Sequence, residues 1–250
     1  MTAMSGCDPH PCSGLIVGVL GGMGPAATAD FYTKLVVSTP AKTDQEHLAV
    51  VIWADPMVPD RTEALLNGGE DPTPWLINGA KVLRDAGATI IVVPCNTAHA
   101  FLTPVIAAVD VPFLHMIAET SNRIAQLKPT VRVVGLLSTT GTQASRLYQD
   151  SLAKEEIDVI TPNSVEQESL VMAAIKAIKA GENGPQATHL LARAAQKLVT
   201  CGAQAILAGC TEIPLALRDV RFAVPIVDPT QVLVDAVIAK GYVPLFIKSW

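Results

Sequence analysis

One pattern occurs twice in this chain, and it limits what the chain can become. Gly87-Ala88 opens an apolar run that ends at Cys95, Gly202-Ala203 opens another that ends at Cys210, and in both the Cys stands eight residues beyond the Gly. A Val-Pro pair follows each, at Val111-Pro112 and Val224-Pro225, so that Pro lies 17 residues after the first Cys and 15 after the second. Upstream, an apolar run ending at Leu20 precedes Cys95 by 75 residues, and one ending at Leu137 precedes Cys210 by 73. The first passes into Gly21-Gly22-Met23-Gly24-Pro25 and the second into Ser138-Thr139-Thr140-Gly141-Thr142. Duplication of one unit accounts for all four agreements together, whereas chance must supply each separately. Two similar domains are expected.

The apolar runs at 15–20, 48–54, 89–93, 131–137 and 204–208 are short, rich in β-branched residues and without polar alternation. Such runs read as strands buried on both faces. Between them, Leu190, Leu191, Ala194, Ala195, Leu198 and Val199 place an apolar stripe on a helix over 187–200. Strands alternating with helices imply parallel α/β sheets. A composition that is 50% hydrophobic and only 16% charged agrees, because layers buried on both faces need that apolar content.

Several classes of function are disfavoured. The net charge of −5, from 18 basic and 23 acidic residues with no basic run, offers no footprint for a nucleic-acid backbone. No apolar stretch approaches the roughly 18–20 residues that cross a bilayer, and residues 1–13 lack a signal-peptide pattern, so a soluble cytoplasmic protein is expected. The five cysteines are an odd number at spacings that match no disulfide framework, so they read as reduced thiols. Cys7 and Cys12 flank Asp-Pro-His-Pro in what reads as a flexible tail over 1–13 rather than a metal clip. The five histidines show no metal spacing, and no metal is expected.

In parallel α/β sheets ligands bind beyond the carboxyl ends of the strands, where Cys95 and Cys210 both stand. A lone buried Cys is usually a small core hydrophobe, the reading kept for Cys201. At equivalent ends of a repeat, two thiols can face one cleft. A turn entering a helix favours thiolate and lowers the thiol pKa. One thiolate can then take a proton from a carbon while the other thiol returns one to the opposite face, which is two-base racemisation. Asn96, Thr97 and Thr211 are either helix caps or donors to the carboxylate that such a reaction must stabilise.

Asp60 and Glu63 form a capping-box pattern that puts Arg61 in the first helical turn. Arg61 is there either a solvated partner of those carboxylates or, with the turn amides, a holder of an anion. Ser164-x-x-Gln167 opens a further capped helix running to Gly181, on which Lys176 and Lys179 read as solvated complements of the helix dipole. Gly22-Met23-Gly24-Pro25-Ala26-Ala27 matches a weak dinucleotide fingerprint, but the next strand-end acid, Asp55, lies 33 residues beyond Gly22 instead of about 20. His99 could tune Cys95, or simply pack or cap.

Together these segments resemble the aspartate/glutamate racemase family, and within it the cofactor-independent aspartate racemases. The resemblance rests on 16–25, 39–47, Pro59-Asp60-Arg61-Thr62, Pro94-Cys95-Asn96-Thr97-Ala98-His99, 137–142 and Ala208-Gly209-Cys210-Thr211-Glu212, and covers about residues 15–240. It implies an enzyme that works without pyridoxal phosphate, on a small amino-acid substrate, from two pseudo-symmetric three-layer α/β domains with the site between them, usually as a homodimer. The first domain would comprise 14–114 completed by 228–250, and the second 115–227. Cys95 and Cys210 resemble the acid/base thiols, Asn96, Thr97 and Thr211 the α-carboxylate cradle, and Arg61 with Lys179 the pair gripping the side-chain carboxylate. Met23, Thr139, Thr142 and Glu212 resemble site-lining positions. The resemblance implies aspartate as substrate, with glutamate or a neutral amino acid as the alternative. Maleate isomerases, malonate decarboxylases and hydantoin racemases share the scaffold, the single-Cys decarboxylases being disfavoured by two intact cysteines, and a non-catalytic amino-acid binder is the alternative from another class.

Overall fold

The structure, a computed structural model, describes residues 14–182 and 184–241. The tail reading for 1–13, with Cys7, Cys12 and His10, and the end of the expected 228–250 segment lie outside the described residues. The first half contains β1 (Ile16–Gly21), α1 (Pro25–Ser38), β2 (Ala49–Ala54), α2 (Arg61–Leu66), α3 (Thr73–Asp85), β3 (Ile90–Val92), α4 (Leu102–Ala107) and β4 (Phe113–Leu114). After α5 (Met116–Ala125) come β5 (Val133–Ser138), α6 (Thr140–Ala144), α7 (Leu147–Ala153), β6 (Asp158–Ile160) and α8 (Ser164–Glu166). A π-helical stretch at Gln167–Met172 leads into α9 (Ala173–Lys179), α10 (Pro185–Thr200), β7 (Ala205–Gly209), α11 (Ile213–Leu217), β8 (Ile226–Val227) and α12 (Pro229–Gly241).

The strands form two parallel four-stranded sheets of identical order, β2-β1-β3-β4 and β6-β5-β7-β8. Each is covered on both faces, as the alternation of side chains along a strand requires. From β1, Val17 and Val19 pack with α1 and α12 through Phe31, Leu35, Leu233 and Val237, while Leu20 packs on the α3 side with Leu76, Ala80 and Leu83. From β7, Ile206 and Ala208 join the α9 and α10 side, and Ala205 and Leu207 join α5 and α7. Two helices touch both cores. α5 sends Met116 into the first and Ile117 and Ile124 into the second, and α12 sends Leu233, Val234 and Val237 into the first and Val232 into the second.

The repeat has a physical cause at each marker. α3 and α10 both end in a Schellman motif, with Ala88 N–H donating to Leu83 O and Gly87 N–H to Arg84 O, matched by Ala203 to Leu198 and Gly202 to Val199. The pattern needs a left-handed residue, and Gly87 (φ +91°) and Gly202 (φ +99°) supply it. The Ala that follows must be small, because it faces Gly18 of β1 and Gly135 of β5. A Cβ on Gly18 would stand 2.8 Å from Ala88 Cβ, and one on Gly135 3.1 Å from Ala203 Cβ. Each Val-Pro pair leads into a two-residue edge strand, where Pro needs no N–H but its carbonyl accepts from Ile91 or Ile206.

Three local expectations need correction. The 48–54 run forms β2, an edge strand with Ile52 exposed, so it is not buried on both faces. The helix near 164 is capped by Asn163, whose side chain accepts from Glu166 N–H, and not by Ser164. Gln167 is therefore no capping-box partner; buried, it donates to Ser138 O at the end of β5 and accepts from Gln143. Cys201 is exposed at the C-cap of α10 rather than packed in the core.

Candidate active site

The carboxyl ends of the two sheets meet at a narrow cleft lined by Met23, Arg61, Cys95, Asn96, Thr97, Thr139, Lys179, Cys210, Thr211 and Glu212. Ten of the eleven residues singled out in the sequence thus share one site. Thr142 is the exception, fully buried behind the lining. Asp60 and Thr62, which the sequence does not single out as site residues, line the cleft too.

Cys95 follows β3 and is buried, and its turn is tied to the opposite half. Thr97 Oγ1 lies 2.9 Å from Thr139 Oγ1 and 2.8 Å from Thr142 Oγ1, and Thr139 Oγ1 donates to Thr142 Oγ1 over 3.0 Å. Three hydroxyl hydrogens serve three contacts, so the ring is closed. Asn96 Oδ1 accepts from Tyr148 Oη of α7. The halves approach closely here because residue 141 is Gly, where a Cβ would meet Thr62 Oγ1 at 2.8 Å. Both ring nitrogens of His99 are bonded to backbone groups. Its Nδ1 is 2.8 Å from Cys95 O and its Nε2 accepts from Met116 N–H at 3.1 Å, so the ring is neutral with its proton on Nδ1. Complete burial, reinforced by His115, pushes its pKa down to about 3.

Cys210 follows β7 and carries its own partner. Its Sγ donates to Glu212 Oε2 at 2.9 Å, and Thr211 Oγ1 donates to the same oxygen at 3.2 Å. The sequence reading of a lowered thiol pKa is overturned at this position: burial and the Glu212 carboxylate push the Cys210 pKa well up, with Lys179 opposing them. α11 offers little in the other direction, being only five residues long.

The cations are held differently. Arg61 is buried, which removes the reading of a solvated surface pair. Its guanidinium donates to Val58 O, Pro59 O and Met23 O, and its Nε is buried without a partner among the described residues. Asp60 caps α2 through the Thr62 and Glu63 amides, as the capping pattern requires. Lys179, solvent-exposed as a residue, also lines the cleft. Partial desolvation there pushes its ammonium down, but the attraction of Cys210, Glu212 and Cys95 outweighs this and raises its pKa. Asn96 Nδ2 is a second buried donor without a partner among the described residues. Unpaired buried donors beside cations are what an anionic ligand would satisfy. Among the described residues no cluster of His, Cys, Asp and Glu fits a metal ion, and no helix is long and apolar enough to cross a membrane.

Two parallel α/β units of one strand order thus meet at a cleft that holds two buried thiols, a buried guanidinium and the Lys179 ammonium. The chain belongs to the Asp/Glu/Hydantoin racemase family, whose model matches residues 20–237. Its structure is similar to that of the Picrophilus torridus aspartate racemase, at 32% identity and a TM-score of 0.81, covering 90% of this chain and 94% of that one. Among curated relatives, the broad specificity amino-acid racemase RacX of Bacillus subtilis is 28% identical over 230 residues, 90% of this chain and 97% of that protein. A glutamate racemase of Methylococcus capsulatus is 33% identical over 141 residues, 54% of this chain and 48% of that protein.

Proposed function

We propose that the protein interconverts L- and D-aspartate by a two-base proton transfer between Cys95 and Cys210. The observation that carries the reading is the lining of one cleft by both thiols together with Arg61, Lys179 and the unpaired Asn96 amide. Two cations suit a dicarboxylate. Arg61 and Lys179 grip the side-chain carboxylate, and Asn96, Thr97 and Thr211 hold the α-carboxylate, which fixes Cα between the sulfurs. Met23, Thr139 and Glu212 complete the lining, and Thr142 acts from behind through the hydroxyl ring.

Cys95 as thiolate takes the Cα proton, and the electron pair left behind delocalises into the α-carboxylate. The amide and hydroxyl donors there bind that growing charge in a site with little water. Cys210 then delivers its proton to the opposite face of Cα. Glu212 suits it for this, because a thiol held protonated by a neighbouring carboxylate enters the reaction as the acid. One turnover leaves Cys95 as thiol and Cys210 as thiolate, the state that accepts the product enantiomer, so the cycle balances in both directions. The acidic amino acid and the homodimer implied by the family resemblance are part of the same reading.

The test is proton NMR of reduced, pyridoxal-phosphate-free protein with L-aspartate in deuterium oxide, paired with chiral chromatography. Loss of the Cα–H signal together with appearance of D-aspartate is expected. Turnover of glutamate or neutral amino acids but not aspartate would overturn the substrate, and no exchange with any of them would leave a binding protein.

A further inference from the structure

We infer that Tyr148 is a positioning residue for the site: its hydroxyl fixes the Asn96 amide so that Nδ2 is turned into the cleft as a donor to a carboxylate. This rests on the racemase reading for the identity of the ligand, but its geometry stands separately. Tyr148 is fully buried at the start of α7. Its Oη donates to Asn96 Oδ1, which comes from the opposite half of the molecule, 52 positions earlier in the chain.

An amide has one acceptor end and one donor end, so fixing one end decides what the other presents. With Oδ1 taken by Tyr148, Nδ2 is left buried without a partner among the described residues, and Asn96 lines the cleft. Reversal would aim Oδ1 at the ligand and repel a carboxylate. The phenol is well chosen for this work, since complete burial keeps it protonated by pushing its pKa up. Thr97, the next residue, is gripped from the same side by Thr139 and Thr142, so the backbone carrying the amide is anchored as well.

The experiment is a double-mutant cycle on the full chain with Tyr148→Phe, Asn96→Ala and the double variant. Binding of succinate, a dicarboxylate without an amino group, is measured by calorimetry alongside kcat and KM for aspartate. About tenfold weaker binding is expected for Tyr148→Phe, as for loss of one hydrogen bond to a charged group. On the Asn96→Ala background the same change is expected to have no further effect, because Tyr148 acts through an amide that is no longer there. Leu152→Ala, at another buried position on α7, controls for loss of stability alone and is expected to lower the melting temperature while leaving succinate affinity in place. Unchanged binding by Tyr148→Phe, or an effect that adds in full to that of Asn96→Ala, would overturn the inference even if the wild type racemises aspartate. Coupled binding effects in a protein that does not racemise would instead overturn the racemase reading and keep this one. A wild type that does not bind succinate overturns the inference.

Discussion

The turns after β3 and β7 are copies of one another, but they secure their cysteines in opposite ways. The second position beyond Cys95 is Thr97 and beyond Cys210 is Glu212. Thr97 reaches across to Thr139 and Thr142, so the first turn is positioned by the other half of the molecule. Glu212 folds back onto Cys210, so the second turn is self-contained and its thiol is held in the protonated state. A repeat that began symmetrical thus carries a geometric constraint on one side and an electrostatic one on the other. The two-base cycle proposed above would tolerate this, since in it each thiol need only be donor in one direction and acceptor in the other.

The comparison breaks most sharply with the thiols themselves. Cys95→Ser and Cys210→Ser should each lower racemisation by about a thousandfold, within the range for removal of a positioned acid or base. If the two thiols serve opposite faces of Cα, each variant should still exchange the Cα proton of one enantiomer, and a different one in each case. Following deuterium uptake separately for L- and D-aspartate measures this. Wild-type racemisation by either variant would end the two-base reading.

A smaller change addresses the asymmetry directly. Glu212→Gln keeps the size of the side chain but removes the charge that raises the Cys210 pKa. The Cys210 pKa should fall, so the limb of the pH profile belonging to Cys210 should move to lower pH in both directions. Profiles of kcat/KM for L- and D-aspartate read the shift. An unmoved limb would mean that burial alone sets the Cys210 thiol.

Much of this architecture was legible in the chain because its causes are local. Gly87-Ala88 and Gly202-Ala203 mark helix ends whose geometry only Gly satisfies, and the apolar central strands stand out by composition. The edges were less visible: β4 and β8 are two residues each, too short for any periodicity, and β2 is as apolar as a central strand although Ile52 is exposed. At the site, residue types pointed to Cys95, Cys210 and Arg61, and the family resemblance was needed for Lys179. What stayed hidden depends on partners distant in sequence. Nothing near residue 148 announces that its hydroxyl belongs to Asn96, and nothing in Cys210-Thr211-Glu212 says whether turn amides or the carboxylate dominate the thiol.

The smallest effect tests whether the halves remain equivalent where no chemistry has acted on them. Gly87→Ala and Gly202→Ala each force a Cβ into the left-handed region, which costs about 1 kcal/mol. Sterics add little, because a Cβ at Gly202 meets nothing within 4 Å and one at Gly87 comes only to 3.8 Å from Ile16 Cδ1. The two variants should therefore lower the urea midpoint by similar amounts and leave kcat unchanged, since both helix ends lie at the opposite end of β3 or β7 from its cysteine. Unequal losses would show that one Schellman turn is strained by its own half. Equal losses would confine the divergence of the repeat to the strand ends that face the cleft, where Thr97 and Glu212 replaced one another's chemistry on a common backbone.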